Sequence, residues 1–209
     1  YFDQDIFELE MEKLFPNQLF AVAHSSEIRE AGQFKRITLL NEDVLLVRQT
    51  NNSIAAFANR CVHRGSTIET TDDGCKKRFT CPYHAWQFDL SGRLVSTRNL
   101  LPSLEKEIAL PNFPLTDVGG LQLLSLDKVE NEELSQLLQL KEYFDFYGLA
   151  NTSVATKNQY RCKANWKLVT ENFLECYHCA PNHPQLAIAE GHVDLLEEGD
   201  IRQFLANQK

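Results

Sequence analysis

The sequence predicts an α+β protein in which a compact antiparallel β domain, led in by one short helix, is followed by the beginning of a second domain. Three observations predict it. Between Leu19 and Ser96, short runs rich in Val, Ile, Phe and Thr alternate with turn signals. Apolar residues recur at helical spacing in 4–15 and again in 131–144. From Tyr160 the run YRCKANWKLVTENFLECYHC changes texture once more and stops around Pro181 and Pro184.

Taken in order, Ile6, Phe7, Leu9, Leu14 and Phe15 mark a leading helix that Pro16 ends, giving a first segment of 1–17. Strands are expected in LFAVAH, FKRITLL, DVLLVRQ, SIAAFA, RFT, WQFDL and LVST. Turns are expected at Ala31-Gly32, Asn51-Asn52, Asp73-Gly74 and Ser91-Gly92. The stretch 98–130, with Pro102, Pro111, Pro114 and Gly119-Gly120, is expected as a connector, so the β domain with its connector runs 18–130. NEELSQLLQLKEYF opens the second domain, 131–209, and the run from Tyr160 is expected as a strand end leading into a buried helix.

The 209 residues, 43% of them hydrophobic, suffice to bury a core. With 21 Lys and Arg against 29 Asp and Glu, and no basic cluster, the footprint of a nucleic-acid binder is missing. No run approaches the roughly 20 apolar residues of a membrane span. The opening YFDQDIFELEMEKLF is acidic where a secretion signal would be basic and then apolar, so a cytoplasmic protein with a small-molecule or protein partner is expected. The cysteines at 61, 75, 81, 162, 176 and 179 admit disulfides, but two of them alternate with histidines at tight spacing, which favours metal ligation.

Those two form Cys61-Val-His63 and Cys81-Pro-Tyr-His84, a C-x-H-x17-C-x2-H arrangement. Each half offers one thiolate and one imidazole, as a [2Fe–2S] cluster with two cysteines on one iron and two histidines on the other requires. Neutral imidazole makes that iron easier to reduce, placing such centres at about −150 to +300 mV against about −400 mV for all-cysteine plant-type clusters. Tetrahedral zinc also accepts two Cys and two His, although its paired ligands are usually separated by two to four residues. Arg64-Gly65 follow His63, and Trp86, expected as packing beside the site, follows His84 by two positions.

The motif CVHRG…CPYHAWQFDLSG resembles the signature of the Rieske non-haem iron oxygenases, and the resemblance extends over essentially the whole chain. It implies an oxygenase (alpha) subunit whose Rieske domain is followed by the start of a helix-grip-type catalytic domain with a mononuclear Fe(II). In the later segment, Glu175 and His178 stand at i and i+3, and His183 follows five residues on. Two histidines plus one carboxylate form the facial triad that holds Fe(II) with positions open for O₂ and substrate. His178 and His183 are the two visible ligands. The resemblance makes Glu175 a bridge instead, hydrogen-bonded to a cluster histidine, His84 or His63, of a neighbouring subunit in a homotrimer. Glutamate there, within ENFLECYHC, resembles the subgroup that oxidises quaternary ammonium compounds such as carnitine, glycine betaine and stachydrine. These enzymes hydroxylate a carbon next to nitrogen.

The family's third iron ligand, an aspartate, lies far downstream of the two histidines. Glu190, Asp194, Glu197, Glu198 and Asp200 come too soon, so the third ligand is expected outside this stretch, as part of a longer polypeptide. No G-x-G-x-x-G occurs, so electrons are expected from a separate NAD(P)H-dependent reductase. The alternatives are an aromatic-ring-hydroxylating dioxygenase alpha subunit and, from another class, a Rieske electron carrier without catalysis of its own. Cys176 and Cys179 are expected as buried thiols beside the iron site, and His24 and His192 as ordinary surface or turn residues.

Overall fold

The computed structural model describes residues 1–97, 107–127 and 131–189. Part of the expected connector, His192 and the five late acidic residues lie outside them. The chain divides into two compact units, Asp5–Lys157 and a second made of Tyr1–Gln4 with Asn158–Lys209.

The larger unit is antiparallel throughout. The leading helix α1 spans Gln4–Leu9, widens into a π-type turn at Glu10–Leu14 and runs on into a 3₁₀ turn at Phe15–Asn17 that contains Pro16, so the chain leaves helical form at Gln18. The strands are β1 (Phe20–His24), β2 (Gln33–Leu39), β3 (Glu42–Arg48), β4 (Ile54–Ala58), β5 (Asp73–Cys75), β6 (Phe79–Thr80), β7 (Gln87–Phe88), β8 (Leu94–Ser96), β9 (Asn112–Phe113), β10 (Leu115–Val118) and β11 (Leu121–Leu124). They form three sheets, ordered β5-β2-β3-β4-β9, β1-β11-β10 and β6-β7-β8. Central strand β3 is apolar on both faces because both are covered. Leu45 and Val47 join Phe34, Phe57, Phe79, Phe88 and Leu94 in one core. Val44 and Leu46, on the alternate face, join Ala23, Ile28, Ala56 and Leu124 in another. A helix α2 (Asn131–Phe146) follows, and residues up to 157 group with the β unit.

Three sequence expectations change here. Asp73-Gly74 is not a turn but the body of edge strand β5, with Gly74 opposite Phe34. A Cβ on Gly74 would come within 2.8 Å of the Phe34 ring, so the glycine serves close approach. The expected connector contains β9, β10 and β11, where Gly119-Gly120, both at positive φ, make the two-residue hairpin between the last two strands. His24, expected at the surface or in a turn, is not at the surface but does cap the 3₁₀ turn Ser25–Glu27. It is buried at the end of β1, its Nδ1 accepting from the Ser26 N–H at 3.2 Å and its Nε2 lying 3.2 Å from the Leu149 carbonyl oxygen.

In the smaller unit Asn165 caps α3 (Trp166–Leu174), its side-chain oxygen accepting from the Lys167 N–H at 3.0 Å. Residues 160–163 do not form a strand, and α3 is not the buried helix expected, for none of its residues is buried. Among the described residues this unit holds only short helices, which give α3 no second layer to pack on. A 3₁₀ turn at Cys176–His178, α4 (Cys179–Asn182) and α5 (Pro184–Ala189) complete it.

Candidate metal centres

The first set of predicted residues sits on two loops of the β unit built to one plan. The Cys61 N–H donates to the Ser66 carbonyl at 2.8 Å and the Gly65 N–H donates back to the Cys61 carbonyl at 2.8 Å. In the other loop the Cys81 N–H donates to the Trp86 carbonyl at 2.8 Å and the Ala85 N–H to the Cys81 carbonyl at 3.0 Å. Each plan needs a left-handed residue four positions after the cysteine, and Gly65 (φ 70°) and Ala85 (φ 58°) supply it. The cysteines thereby point into the core while the histidines point out. Cys61 and Cys81 are each 2% exposed, whereas His63 is exposed and His84 half-buried. The rings of His63 and His84 meet edge to face with centroids 4.5 Å apart.

The electrostatics suit a metal-sulfur ligand set. Burial pushes the Cys61 thiol above its ordinary pKa, the neighbouring Cys81 adds to the shift, and the backbone N–H groups of His63 and Arg64 oppose it. A thiol with amide donors aimed at its sulfur is one that a cation readily converts to thiolate. Burial, and then the neighbouring His63 and Arg64, lower the pKa of His84, favouring the neutral imidazole that binds metals. Among the described residues no three His, Cys, Asp or Glu groups converge as one metal ion would require. Two thiols inside and two imidazoles outside fit a two-iron centre with two protein ligands per iron better than one tetrahedral zinc.

Asn59 was not singled out by the sequence. Buried before the first loop, it donates through Nδ2 to Asp43 at 3.0 Å and to the Glu69 carbonyl at 2.7 Å, and its Oδ1 accepts from the Glu69 N–H at 2.8 Å. Glu69 is itself buried and paired with Lys76. The one signal for this network is a polar residue closing the apolar strand IAAFA.

The second set lies where α3 ends. Glu175 is not on the helix with His178, as helical spacing suggested. It is the C-cap, extended at φ −95° and ψ 99°, and its N–H makes the last helical bond, to Glu171 at 3.0 Å. The 3₁₀ turn brings His178 back, so that its Nδ1 lies 3.8 Å from Glu175 Oε2. That buried Nδ1 has no hydrogen-bond partner, which leaves an orphan polar atom at the site. The His178 and His183 rings are 5.7 Å apart, near perpendicular. Two imidazoles with a carboxylate beside one of them fit part of an iron site, and no third ligand joins them among the described residues. Cys179 is buried next to His178; the Cys176 side chain lies outside the described set.

Residues 18–114 match the Rieske [2Fe-2S] domain, and residues 149–203 match the ring hydroxylating alpha subunit (catalytic domain). The glycine betaine monooxygenase oxygenase subunit of Pseudomonas aeruginosa is 33% identical over 100% of this chain and 48% of its own length. The carnitine monooxygenase oxygenase subunit of Escherichia coli K12 is 34% identical over 88% of this chain and 50% of its own. The structure of the quaternary ammonium Rieske monooxygenase CntA in complex with its substrate L-carnitine superposes with a TM-score of 0.77 at 28% identity, covering 88% of this chain and 53% of that one. The chain thus spans about half the length of the relatives it matches. Both family models match this one chain in sequence order: it carries a Rieske [2Fe-2S] domain followed by part of the catalytic domain of a ring hydroxylating alpha subunit.

Proposed function

We propose that these residues are the Rieske domain and the opening of the catalytic domain of a monooxygenase oxygenase component acting on a small quaternary ammonium compound. The observation that carries this is the pair of matched loops presenting two buried thiols and two outward imidazoles, on one chain with an imidazole pair flanked by a carboxylate. Cys61, His63, Cys81 and His84 are the ligands of the [2Fe–2S] centre. His178 and His183 are two of the ligands of mononuclear Fe(II), and a carboxylate from elsewhere in the polypeptide is the third.

The metal centres supply O₂ activation: one oxygen atom enters a C–H bond next to nitrogen, and the other leaves as water with two electrons and two protons. A separate NAD(P)H-dependent reductase provides the electrons, and the setting is cytoplasmic; no helix among the described residues is long and apolar enough to cross a membrane. Glu175 accepts a hydrogen bond from the free N–H of His84 of a neighbouring copy in a homotrimer and turns its other oxygen to His178 Nδ1, the orphan atom 3.8 Å away. Similarity to the glycine betaine and carnitine enzymes supports the substrate class.

The purified protein is expected to hold two irons and two acid-labile sulfides per cluster, and to lose both in His63→Ala and Cys81→Ala. Zinc by elemental analysis, with no visible absorption band, would refute the ligand assignment. Supplied with its reductase, the whole polypeptide should couple NAD(P)H consumption to oxidation of glycine betaine or carnitine. Turnover of aromatic hydrocarbons alone would replace the proposal with the dioxygenase.

A further inference from the structure

Metal-bound histidines are ordinarily held in place by a hydrogen bond from the ring nitrogen that does not face the metal. Here neither ring nitrogen of His63 has such a partner among the described residues. What meets His63 instead is the indole of Trp86, stacked on its face with centroids 4.6 Å apart and planes 5° from parallel. Trp86 is half-buried and packs against the core that contains Phe79, Phe88 and Leu94. The indole therefore touches the core on one side and the face of the His63 imidazole on the other, while the edge-to-face contact with His84 comes from the second ligand loop rather than from the core. We propose that Trp86 is the positioning residue of His63, fixing the plane of that ligand by stacking where a hydrogen bond would normally do so.

The backbone gives the arrangement its rigidity. The Trp86 carbonyl accepts from the Cys81 N–H at 2.8 Å, so the residue that stacks on the ligand of one loop also closes the other loop. A change in either loop is felt by the His63 ring through a single side chain. His84 is held differently: Tyr83 lies against it at 3.8 Å and 36°, but Tyr83 is exposed and has no core behind it. The two imidazoles thus differ in restraint, with His63 clamped from the core and His84 left able to adjust to whatever meets its outer edge.

The inference rests on His63 being a cluster ligand, and the test separates the two. Wild type, Trp86→Leu and Trp86→Phe are prepared with the cluster assembled, and iron and sulfide are counted. Imidazole nitrogen couplings are then read by pulsed EPR of the reduced state, and bleaching by a chelator is timed. A wild type without iron and sulfide overturns the ligand assignment, and the inference with it. With the wild type loaded, Trp86→Leu should show one of its two nitrogen couplings broadened and should bleach about tenfold faster, the usual scale for losing a group that orients a ligand. Trp86→Phe, which keeps a ring against His63, should stay close to wild type in both. If Trp86→Leu holds no cluster at all, the thermal unfolding of its cluster-free form decides. An unfolding temperature equal to wild type, with Trp86→Phe still loaded, supports the role. A matching fall in both variants overturns it, as do wild-type couplings and bleaching in Trp86→Leu, since either would make Trp86 core packing alone.

Discussion

Arg48 closes β3 with a buried guanidinium that donates to the carbonyl oxygens of Ile28, Asn52 and Ser25 at 2.6, 2.7 and 3.0 Å. Its removal strands acceptors in a place water reaches poorly, so Arg48→Met is expected to cost about 3 kcal/mol, read from urea unfolding of the protein. Nothing in the sequence marks this residue: VLLVRQ reads as a strand with a charge at its end, and only the fold shows where the charge goes. The two loops that carry Cys61, His63, Cys81 and His84 are legible because a thiolate and imidazole ligand set demands particular residue types at short spacing. Glu175 is legible by the same token, though not its backbone. It leaves the helix at Leu174 and still lies within 3.8 Å of His178. Glu175→Gln should leave iron and sulfide content unchanged while slowing single-turnover oxidation of the reduced cluster by about tenfold or more, because the amide keeps the shape and loses the charge. Wild-type rates in that variant would remove the carboxylate from the electron route.

Among the elements, the strands with period-two patterning or a continuous apolar run are the ones the sequence shows. Those it hides are β5 and β9–β11, where proline and glycine serve edges and a hairpin in sequence that looks like linker. Equally hidden is the strap that leaves the β unit. The segment 149–157 is held by a small polar patch: Leu149 by His24, Ser153 by Arg29 at 2.8 Å, and Val154 by Ser26 at 3.3 Å. Near its end, Lys157 and Lys35 face one carboxylate, Glu27. Burial pushes the Glu27 pKa up, but the Lys35 ammonium and the His24 N–H outweigh it, so the net shift is downward. A carboxyl whose folded pKa lies below its unfolded one contributes stability that is complete above the unfolded value and is lost as pH falls through the folded one. Acidification below the ordinary glutamate range should therefore loosen the strap, seen as a lower hydrogen-exchange protection factor at Val154, whose N–H donates to Ser26. Glu27→Gln should show that lower protection already at neutral pH and a weaker acid dependence.

For the whole molecule, the sharpest expectation concerns copies of the chain. The cluster-type loops present their imidazoles outward, and a surface that must deliver to another site finds its receiver most economically on a neighbour, a head-to-tail contact that closes into a ring. Two inactive variants of the complete polypeptide, His84→Ala and His178→Ala, mixed by dissociation and reassembly, should recover part of the activity in mixed oligomers. No recovery despite proven mixing would mean that each chain works alone. Such an arrangement would not be legible in composition or periodicity, because assembly is written in surface shape that a linear pattern does not encode. The thiols of the two loops lie deeper than the imidazoles. If the two cysteines hold one iron and the two histidines the other, the site has an inner and an outer pole, and the easier-to-reduce pole is the one next to solvent. An electron taken up there would rest at the rim rather than be shared evenly with the core, so the centre would behave as a terminal with a fixed orientation, set by which way two cysteine side chains point.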